Sequence, residues 1–202
     1  MTLAIIDSGG ANISSVRHAL KRLGADSVFT ADADTIRSAD RVILPGVGAA
    51  GAAMTRLREL GLVECIRQLQ QPVLGICLGM QLLFEHSDEA HQGEDGVECI
   101  GIMPGTLKKL EPAQGVRIPH MGWNTTSVVR DDSLLKGLPE NAWFYFVHSY
   151  FAPVGESTLA SCTHGENFSA IVRKDNFYGA QFHPERSARH GARLLANFLE
   201  IS

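Results

Sequence analysis

In the first half of the chain, short apolar runs alternate with segments whose apolar residues recur at helical spacing. The apolar runs predict buried strands over residues 3–7, 28–30, 41–44 and 72–76. Two helices are predicted by Ile13, Val16, Ala19, Leu20 and Leu23 before Gly24, and by Met54, Leu57 and Leu60 before Gly61. This alternation is typical of βαβ units, and it predicts an α/β fold with a mainly parallel sheet between two layers of helices.

The second half of the chain follows a different pattern. A helix is predicted over residues 78–84, and the polar, turn-rich segment 86–96 predicts a surface loop. Short β-type runs then follow one another at 116–118, 125–129, 142–150, 158–162, 168–173 and 177–182. We expect these runs to include antiparallel strands added to the parallel core. Ser187 is predicted to cap a last helix with apolar positions Ala188, Ala192, Leu195 and Phe198.

Composition and charge narrow the class of protein. The chain has 202 residues, 45% of them hydrophobic, which suffices for a core, and we expect one domain over residues 1–202. The net charge is −4, and the absence of long like-charged runs argues against a nucleic-acid or anionic-membrane partner. Because the sequence shows no export signal and no apolar stretch of roughly 18 residues, we expect a soluble, cytoplasmic protein.

The sharpest chemical feature is the segment Gly75-Ile76-Cys77-Leu78-Gly79, placed where a buried strand meets a helix. A nucleophile at such a cramped turn stands clear of the sheet edge, and flanking glycines relieve the crowding. The helix N-terminus at Leu78 would favour a thiolate. The alternative is that Cys77 is a small core residue, the commonest fate of a free cysteine. The three other cysteines lack this setting, and all four are expected to be reduced.

A base and its orienting partner are suggested by His183-Pro184-Glu185, which follows a predicted strand. Residues two apart in extended backbone project to the same side, so Glu185 can hold the His183 imidazole in one tautomer. An oxyanion could be bound by the backbone N–H of Leu78 and by the loop Pro45-Gly46-Val47-Gly48. The alternatives are an ordinary surface His-Glu pair and an ordinary βα turn. No metal or organic cofactor is implied.

Together these motifs resemble the class I, triad-type glutamine amidotransferases, which have a flavodoxin-like α/β fold. Within that family, the likeness is greatest to the glutaminase subunits of imidazole glycerol phosphate synthases, and it runs from Ile5 to Phe198. The segments particular to those subunits are His120-Met121-Gly122-Trp123-Asn124, residues 145–150 and Gln181-Phe182-His183-Pro184-Glu185-Arg186-Ser187. The first of these segments discriminates best between this branch and the sister amidotransferases.

The resemblance implies roles for individual residues. Cys77 would be the nucleophile, His183 the general acid and base, and Glu185 its orienting carboxylate. The oxyanion hole would involve Val47, Gly48 and Leu78, with the Val47 peptide turning over to complete it. Glutamine would be held by Gly48, Gln81, Glu89, Ser149 and Tyr150, with Glu89 suited by charge to the α-ammonium group. The partner would be contacted by Asn12, Met121, Trp123, Tyr145 and Arg186.

The implied reaction is hydrolysis of L-glutamine to glutamate and ammonia through a cysteinyl thioester. The implied partner is a (β/α)8-barrel cyclase, which receives the ammonia and forms imidazole glycerol phosphate and an aminoimidazole carboxamide ribotide. Two alternatives stay open. The chain could serve a different synthase, in an anthranilate, guanylate or pyridoxal-phosphate pathway, or it could be a non-catalytic binding module with an amidotransferase-like fold.

Overall fold

The protein is described by a computed structural model that covers residues 1–9, 13–90, 93 and 95–201. Its helices are α1 (Ile13–Arg22), α2 (Ala33–Ser38), α3 (Ala50–Glu59), α4 (Leu62–Arg67), α5 (Leu78–Gln81) and α6 (Ala188–Glu200). Its strands are β1 (Leu3–Ile6), β2 (Ser27–Thr30), β3 (Arg41–Leu44), β4 (Val73–Ile76), β5 (Phe84–Ser87), β6 (Val97–Glu98), β7 (Met103–Lys109), β8 (His120–Thr125), β9 (Ser127–Val128), β10 (Trp143–His148), β11 (Tyr150–Phe151), β12 (Thr158–His164), β13 (Glu166–Lys174) and β14 (Phe177–Ala180). Two 3₁₀ turns lie at Ser133–Leu135 and Pro184–Arg186.

An eight-stranded sheet forms the centre of the fold, in the order β2-β1-β3-β4-β14-β13-β12-β9. The first five strands in this order run parallel, and the remaining pairings are antiparallel. The prediction of a mainly parallel sheet with added antiparallel strands is therefore confirmed. Because β4 and β14 are parallel neighbours, the segments that follow them emerge at the same edge of the sheet.

Alternate residues of each central strand point to opposite faces, and this period divides the core in two. Leu3 and Ile5 of β1 pack in the cluster that contains the apolar residues of α1 and α6. Ala4 and Ile6 of the same strand pack in the cluster that contains those of α2, α3 and α4. The helices thus cover both faces of the sheet, as the alternation of apolar runs and helical segments predicts.

Two smaller sheets contain the remaining strands. Strands β8 and β10 form an antiparallel pair, and the order β11-β7-β5-β6 forms a four-stranded sheet. The predicted helix over 78–84 is wrong beyond Gln81, where α5 ends, and Phe84–Ser87 pairs with β6 and β7 as a strand. The loop predicted over 86–96 therefore begins later, at Asp88, and its residues 91, 92 and 94 lie outside the described residues.

Two further local predictions need correction. Residues 116–118 lie outside the strands, and the Arg117 carbonyl accepts a hydrogen bond from the His164 ring instead of a ladder bond. Ser187 precedes α6 as predicted, but its hydroxyl donates to the His183 carbonyl at 2.6 Å and accepts from the Tyr145 N–H at 2.9 Å. The side chain thus fixes the segment before the helix, next to His183.

Candidate active site

Cys77 stands at the sharp turn between β4 and α5. Its backbone has φ 53° and ψ −112°, a conformation that residues with a side chain seldom adopt. The Cys77 N–H donates to the Ala180 carbonyl at 2.8 Å, so the end of β14 holds the turn. The thiol lies 3.7 Å from the Val147 carbonyl oxygen, to which it can donate. The strand-to-helix turn predicted from the glycine spacing is therefore present.

The glycines on either side of Cys77 permit close approach between backbones. A Cβ atom on Gly79 would collide with the carbonyl oxygen of Leu44 at the end of β3. A Cβ atom on Gly75 would stand 2.6 Å from the Gly79 carbonyl oxygen, well inside van der Waals contact. These two positions therefore admit only glycine without a backbone shift.

His183 and Glu185 follow β14, the parallel neighbour of β4, and this topology brings them to the edge where Cys77 stands. His183 Nδ1 and Glu185 Oε1 are 2.9 Å apart, and the Glu185 side chain is 1% exposed. A buried carboxylate at this distance orients the ring through Nδ1 and leaves Nε2 for chemistry.

Electrostatics favour the charged form of His183. Burial by itself lowers the pKa of the imidazole, since it penalises the cation. Hydrogen bonding and charge interaction with the Cys77 sulfur and the Glu185 carboxylate outweigh burial and raise the pKa to about 10. An imidazolium beside a sulfur atom stabilises the thiolate form, which is the nucleophilic one.

The predicted site residues come together around a cavity of about 340 Å³. Its lining consists of Val47, Gly48, Cys77, Leu78, Gln81, Glu89, Pro119, Val147, His148, Ser149, Tyr150 and His183. The lining includes every residue predicted for the oxyanion hole and for glutamine binding, together with the predicted nucleophile and the predicted base. Glu185 stands behind His183, as an orienting group would. The roles of these residues remain predictions.

Two buried glutamines order one wall of the cavity. Gln81 Nε2 donates to the Tyr150 carbonyl at 2.8 Å and to Gln181 Oε1 at 3.0 Å. Both hydrogens of the Gln81 amide are thereby used, so Gln81 can only accept a hydrogen bond from a ligand. Gln181 Nε2 lies 4.0 Å from Cys77 Sγ. The sequence motifs gave Gln181 no role, although its place two residues before His183 on the same side was a signal.

Another part of the lining joins Glu89 to the N-terminus of α3. Glu89 Oε2 accepts from the Ala50 N–H at 2.6 Å, where the helix dipole favours negative charge. The loop before α3 contains Gly48, with φ 95°, and begins at Pro45, whose carbonyl accepts from Ser8 Oγ at 2.9 Å. The carboxylate is thus anchored at the cavity beside the predicted oxyanion loop.

The other three thiols lie in different surroundings. All four cysteines are buried, and for Cys65, Cys99 and Cys162 burial raises the pKa of the thiol, to about 12 for Cys99 and for Cys162. These thiols stay protonated at neutral pH and are poor nucleophiles. Cys77 is therefore the one of the four with a candidate base beside it.

Comparison with known proteins agrees with this geometry. The family model described as "Glutamine amidotransferase class-I" matches residues 4–201. The chain belongs to the class I glutamine amidotransferase family. A protein of Xanthomonas axonopodis pv. citri (strain 306), named "Imidazole glycerol phosphate synthase subunit HisH", is 58% identical over 200 residues, which cover 99% of this chain and 98% of that protein. A protein of the same name from Xylella fastidiosa (strain Temecula1 / ATCC 700964) is 53% identical and covers 98% of this chain and 97% of its own.

Solved structures with much lower sequence identity share the fold of this class I glutamine amidotransferase. PurLQS from Thermotoga maritima superposes with a TM-score of 0.72 at 18% identity, covering 98% of this chain and 97% of its own. A glutamine amidotransferase from the same organism superposes with a TM-score of 0.59 at 18% identity, covering 99% of this chain and 83% of its own. Over the part of the chain that the structure describes, no helix combines the length and apolar character needed to cross a bilayer.

An exposed surface of this amidotransferase, the aromatic face, adjoins the site. It is formed by Met121, Trp123, Tyr145 and Arg186, four of the five residues predicted to contact a partner; the fifth, Asn12, lies outside the described residues. Met121 is 63% exposed and Trp123 48%. The Arg186 guanidinium lies 4.6 Å from the centre of the Tyr145 ring, and Trp123 meets that ring edge-on at 6.0 Å. Large exposed apolar side chains grouped in this way are typical of a protein interface.

Proposed function

We propose that this chain hydrolyses L-glutamine to L-glutamate and ammonia through a thioester on Cys77, and that it passes the ammonia to a partner cyclase. The observation that carries the proposal is the shared cavity of Cys77 and His183, with Glu185 on the far nitrogen of the imidazole. This is the arrangement that a cysteine nucleophile with a general acid and base requires.

In the first half of the reaction, the Cys77 thiolate attacks the carboxamide carbon of glutamine. The carbonyl electrons move to oxygen, and backbone N–H groups of Leu78 and of the 47–48 loop stabilise this oxyanion. His183 then donates a proton to the amide nitrogen, the carbon–nitrogen bond breaks, and ammonia leaves. The γ-glutamyl group remains on Cys77 as a thioester.

In the second half, water attacks the thioester carbon while His183 accepts a proton from it. The carbon–sulfur bond breaks, glutamate is released, and the thiolate and imidazolium are restored. Glu185 keeps Nε2 of His183 directed at the reacting atoms through both halves. Glu89 is suited by its charge to the α-ammonium group of glutamine, and Gln81 is suited to accept a hydrogen bond from the substrate.

The partner is proposed from the names of the relatives and from the aromatic face. The two relatives described above carry the name of a synthase subunit, which implies a complex. Ammonia released into water is protonated and loses its nucleophilicity, so delivery favours a partner seated next to the site. We expect a (β/α)8-barrel cyclase on the aromatic face, and low glutaminase activity until that complex binds its nucleotide substrate.

The proposal is tested with a diazo-ketone analogue of glutamine, which alkylates a nucleophile in a glutamine site. With cyclase and its nucleotide substrate present, we expect one adduct, mapped by mass spectrometry to Cys77, and no adduct in Cys77→Ala. Labelling of Cys65, Cys99 or Cys162, or no labelling in the complex, would contradict it. A chain that serves another synthase would be labelled only with that synthase, and a non-catalytic module would not be labelled at all.

A further inference from the structure

Two buried histidines form a hydrogen-bonded chain that ends at the wall of the cavity. His120 Nδ1 lies 3.0 Å from His148 Nε2, and His148 Nδ1 lies 3.0 Å from the Tyr150 carbonyl oxygen. At the outer end, Asn124 Nδ2 lies 3.3 Å from His120 Nε2. The Tyr150 carbonyl is also the acceptor for Gln81. Neither the predicted triad nor the predicted glutamine contacts give this hydrogen-bonded chain of side chains a function.

The partners fix the direction of every bond in the chain. A carbonyl only accepts, so His148 must carry its hydrogen on Nδ1, and its Nε2 accepts from His120 Nδ1. His120 Nε2 is then an acceptor for the Asn124 amide. Asn124 is itself oriented, because its Oδ1 accepts from the Thr125 N–H at 2.8 Å while its Nδ2 also donates to the Thr163 carbonyl at 3.0 Å. Each ring is thereby held in one tautomer.

The lowered pKa values of His120 and His148 also indicate that both rings are neutral. Burial lowers the pKa of His148 to about 3, with a smaller contribution from His120. Burial also lowers the pKa of His120 to about 4, with His164 contributing. A neutral imidazole has one donor and one acceptor nitrogen, which is the arrangement that a directed chain needs. The rings are further fixed by packing, because His120 stacks on Phe146 at 4.8 Å and on His164 at 4.0 Å between ring centres.

We propose that His120 and His148 are positioning residues, which hold the Tyr150 carbonyl and, through it, the Gln81 amide in the geometry that binds glutamine. The inference rests on the proposed function, since it concerns the same cavity. The chain ends on a backbone carbonyl, which takes up no proton at neutral pH, so its task is to orient groups and not to move protons. With both Gln81 hydrogens committed to Tyr150 and Gln181, only the Gln81 oxygen remains to form a hydrogen bond with glutamine.

The test compares His120→Phe with His120→Asn in the complex with cyclase and its nucleotide substrate. Phenylalanine preserves the stacking and removes the donor to His148, whereas asparagine retains a donor near the Nδ1 position. We expect His120→Phe to raise KM for glutamine about tenfold, the effect of one lost buried hydrogen bond, with kcat changed far less. His120→Asn should restore most of the KM. Co-elution of the two proteins in gel filtration serves as the control for intact docking.

Equal KM values for wild type and His120→Phe would overturn the inference, and so would equal impairment of the two variants. If His120→Phe does not fold, the pair His148→Leu and His148→Asn applies the same comparison at the second ring. Failure of the proposed function would look different, because the wild-type complex would then release no ammonia from glutamine.

Discussion

Cys77 has a backbone conformation that costs free energy, and its neighbours keep it there. Positive φ at a residue with a side chain is stable only when the surroundings fix it, and such strain is concentrated at functional positions. Here the fixing contacts are the bond from the Cys77 N–H to Ala180 and the close approach of Gly79 to Leu44. Altering the contacts around the cysteine should therefore matter as much as altering the sulfur.

Gly79→Ala adds a single methyl group and tests whether the close approach of Gly79 to Leu44 is needed to hold the turn at Cys77. The new Cβ would meet the Leu44 carbonyl oxygen, so we expect the variant to lose about 3 kcal/mol of unfolding free energy or more, as overpacking does. The matched control is Gly155→Ala, where the added Cβ has nothing within 4 Å. Urea denaturation followed by circular dichroism measures both. Equal stability of the two variants would show that the close approach is unimportant.

Glu185→Gln tests the orientation and charge of His183. Without the carboxylate, the imidazolium loses support, and we expect kcat/KM for glutamine in the complex to fall about 100-fold or more. The raised pKa of His183 contributes stability that is fully present below pH 6.5 and is lost as pH rises towards about 10. The stability difference between wild type and Glu185→Gln should accordingly shrink over that range. A difference that grows with pH would contradict this assignment.

Among the elements, the buried parallel strands were predictable from sequence, and the elements without a clear local pattern were not. Strands β1, β3 and β4 are apolar runs buried on both faces, so their pattern is unambiguous. Helix α2 has six residues and one buried apolar side chain, Ile36, which is too few to show a period. Strand β7 contains Pro104 and Gly105, which sequence patterns associate with turns. Its pairing with β5 and β11 is a tertiary contact that local pattern does not encode.

The site residues likewise differ in whether a local sequence signal reveals them. Cys77, His183 and Glu185 could be proposed because glycine spacing and the His-Pro-Glu segment are local signals. The positions of Gln181 and His148 depend on strands that meet only in the folded chain. His148 reads in sequence as one residue of an aromatic β-type run, and its contact with His120 arises from the pairing of β8 with β10.

The β8–β10 pair should make the protein sensitive to acid. His120 and His148 are neutral in the folded state and have lowered pKa values of about 4 and about 3. In the unfolded chain they titrate near pH 6.5, so the unfolded state binds more protons between these values, and stability falls as pH drops below 6.5. Between pH 6.5 and 4, we expect His120→Phe to lose less unfolding free energy than wild type, measured by urea denaturation. An identical loss in the two proteins would show that the histidines are not a neutral pair in the folded state.

On the scale of the whole molecule, the aromatic face is linked directly to the segment that contains His183. The Tyr145 carbonyl accepts from the His183 N–H at 2.9 Å, and Arg186 follows His183 by one short turn. A partner seated on Tyr145 and Arg186 would thus contact the strand and the turn that hold the base. This arrangement offers a physical route by which docking could influence glutamine hydrolysis.

Trp123→Ala tests the aromatic face as the interface. Large aromatic side chains at the centre of an interface contribute about 2 kcal/mol or more, so we expect the Kd for the cyclase to rise about 30-fold. Val28→Ala is the control, since Val28 is 56% exposed and lies on the edge strand β2. Isothermal titration calorimetry gives both constants. Equal weakening by the two substitutions would place the interface elsewhere.

The proposed thioester on Cys77 is the intermediate on which the mechanism depends, and it can be observed directly. The complex with cyclase and its nucleotide substrate is mixed with glutamine, quenched in acid within the turnover time, and examined by intact-protein and peptide mass spectrometry. The account predicts a mass increase of one glutamyl group on the peptide that contains Cys77, and no increase in Cys77→Ser. Steady production of glutamate by the Cys77→Ser complex at the wild-type rate would contradict it.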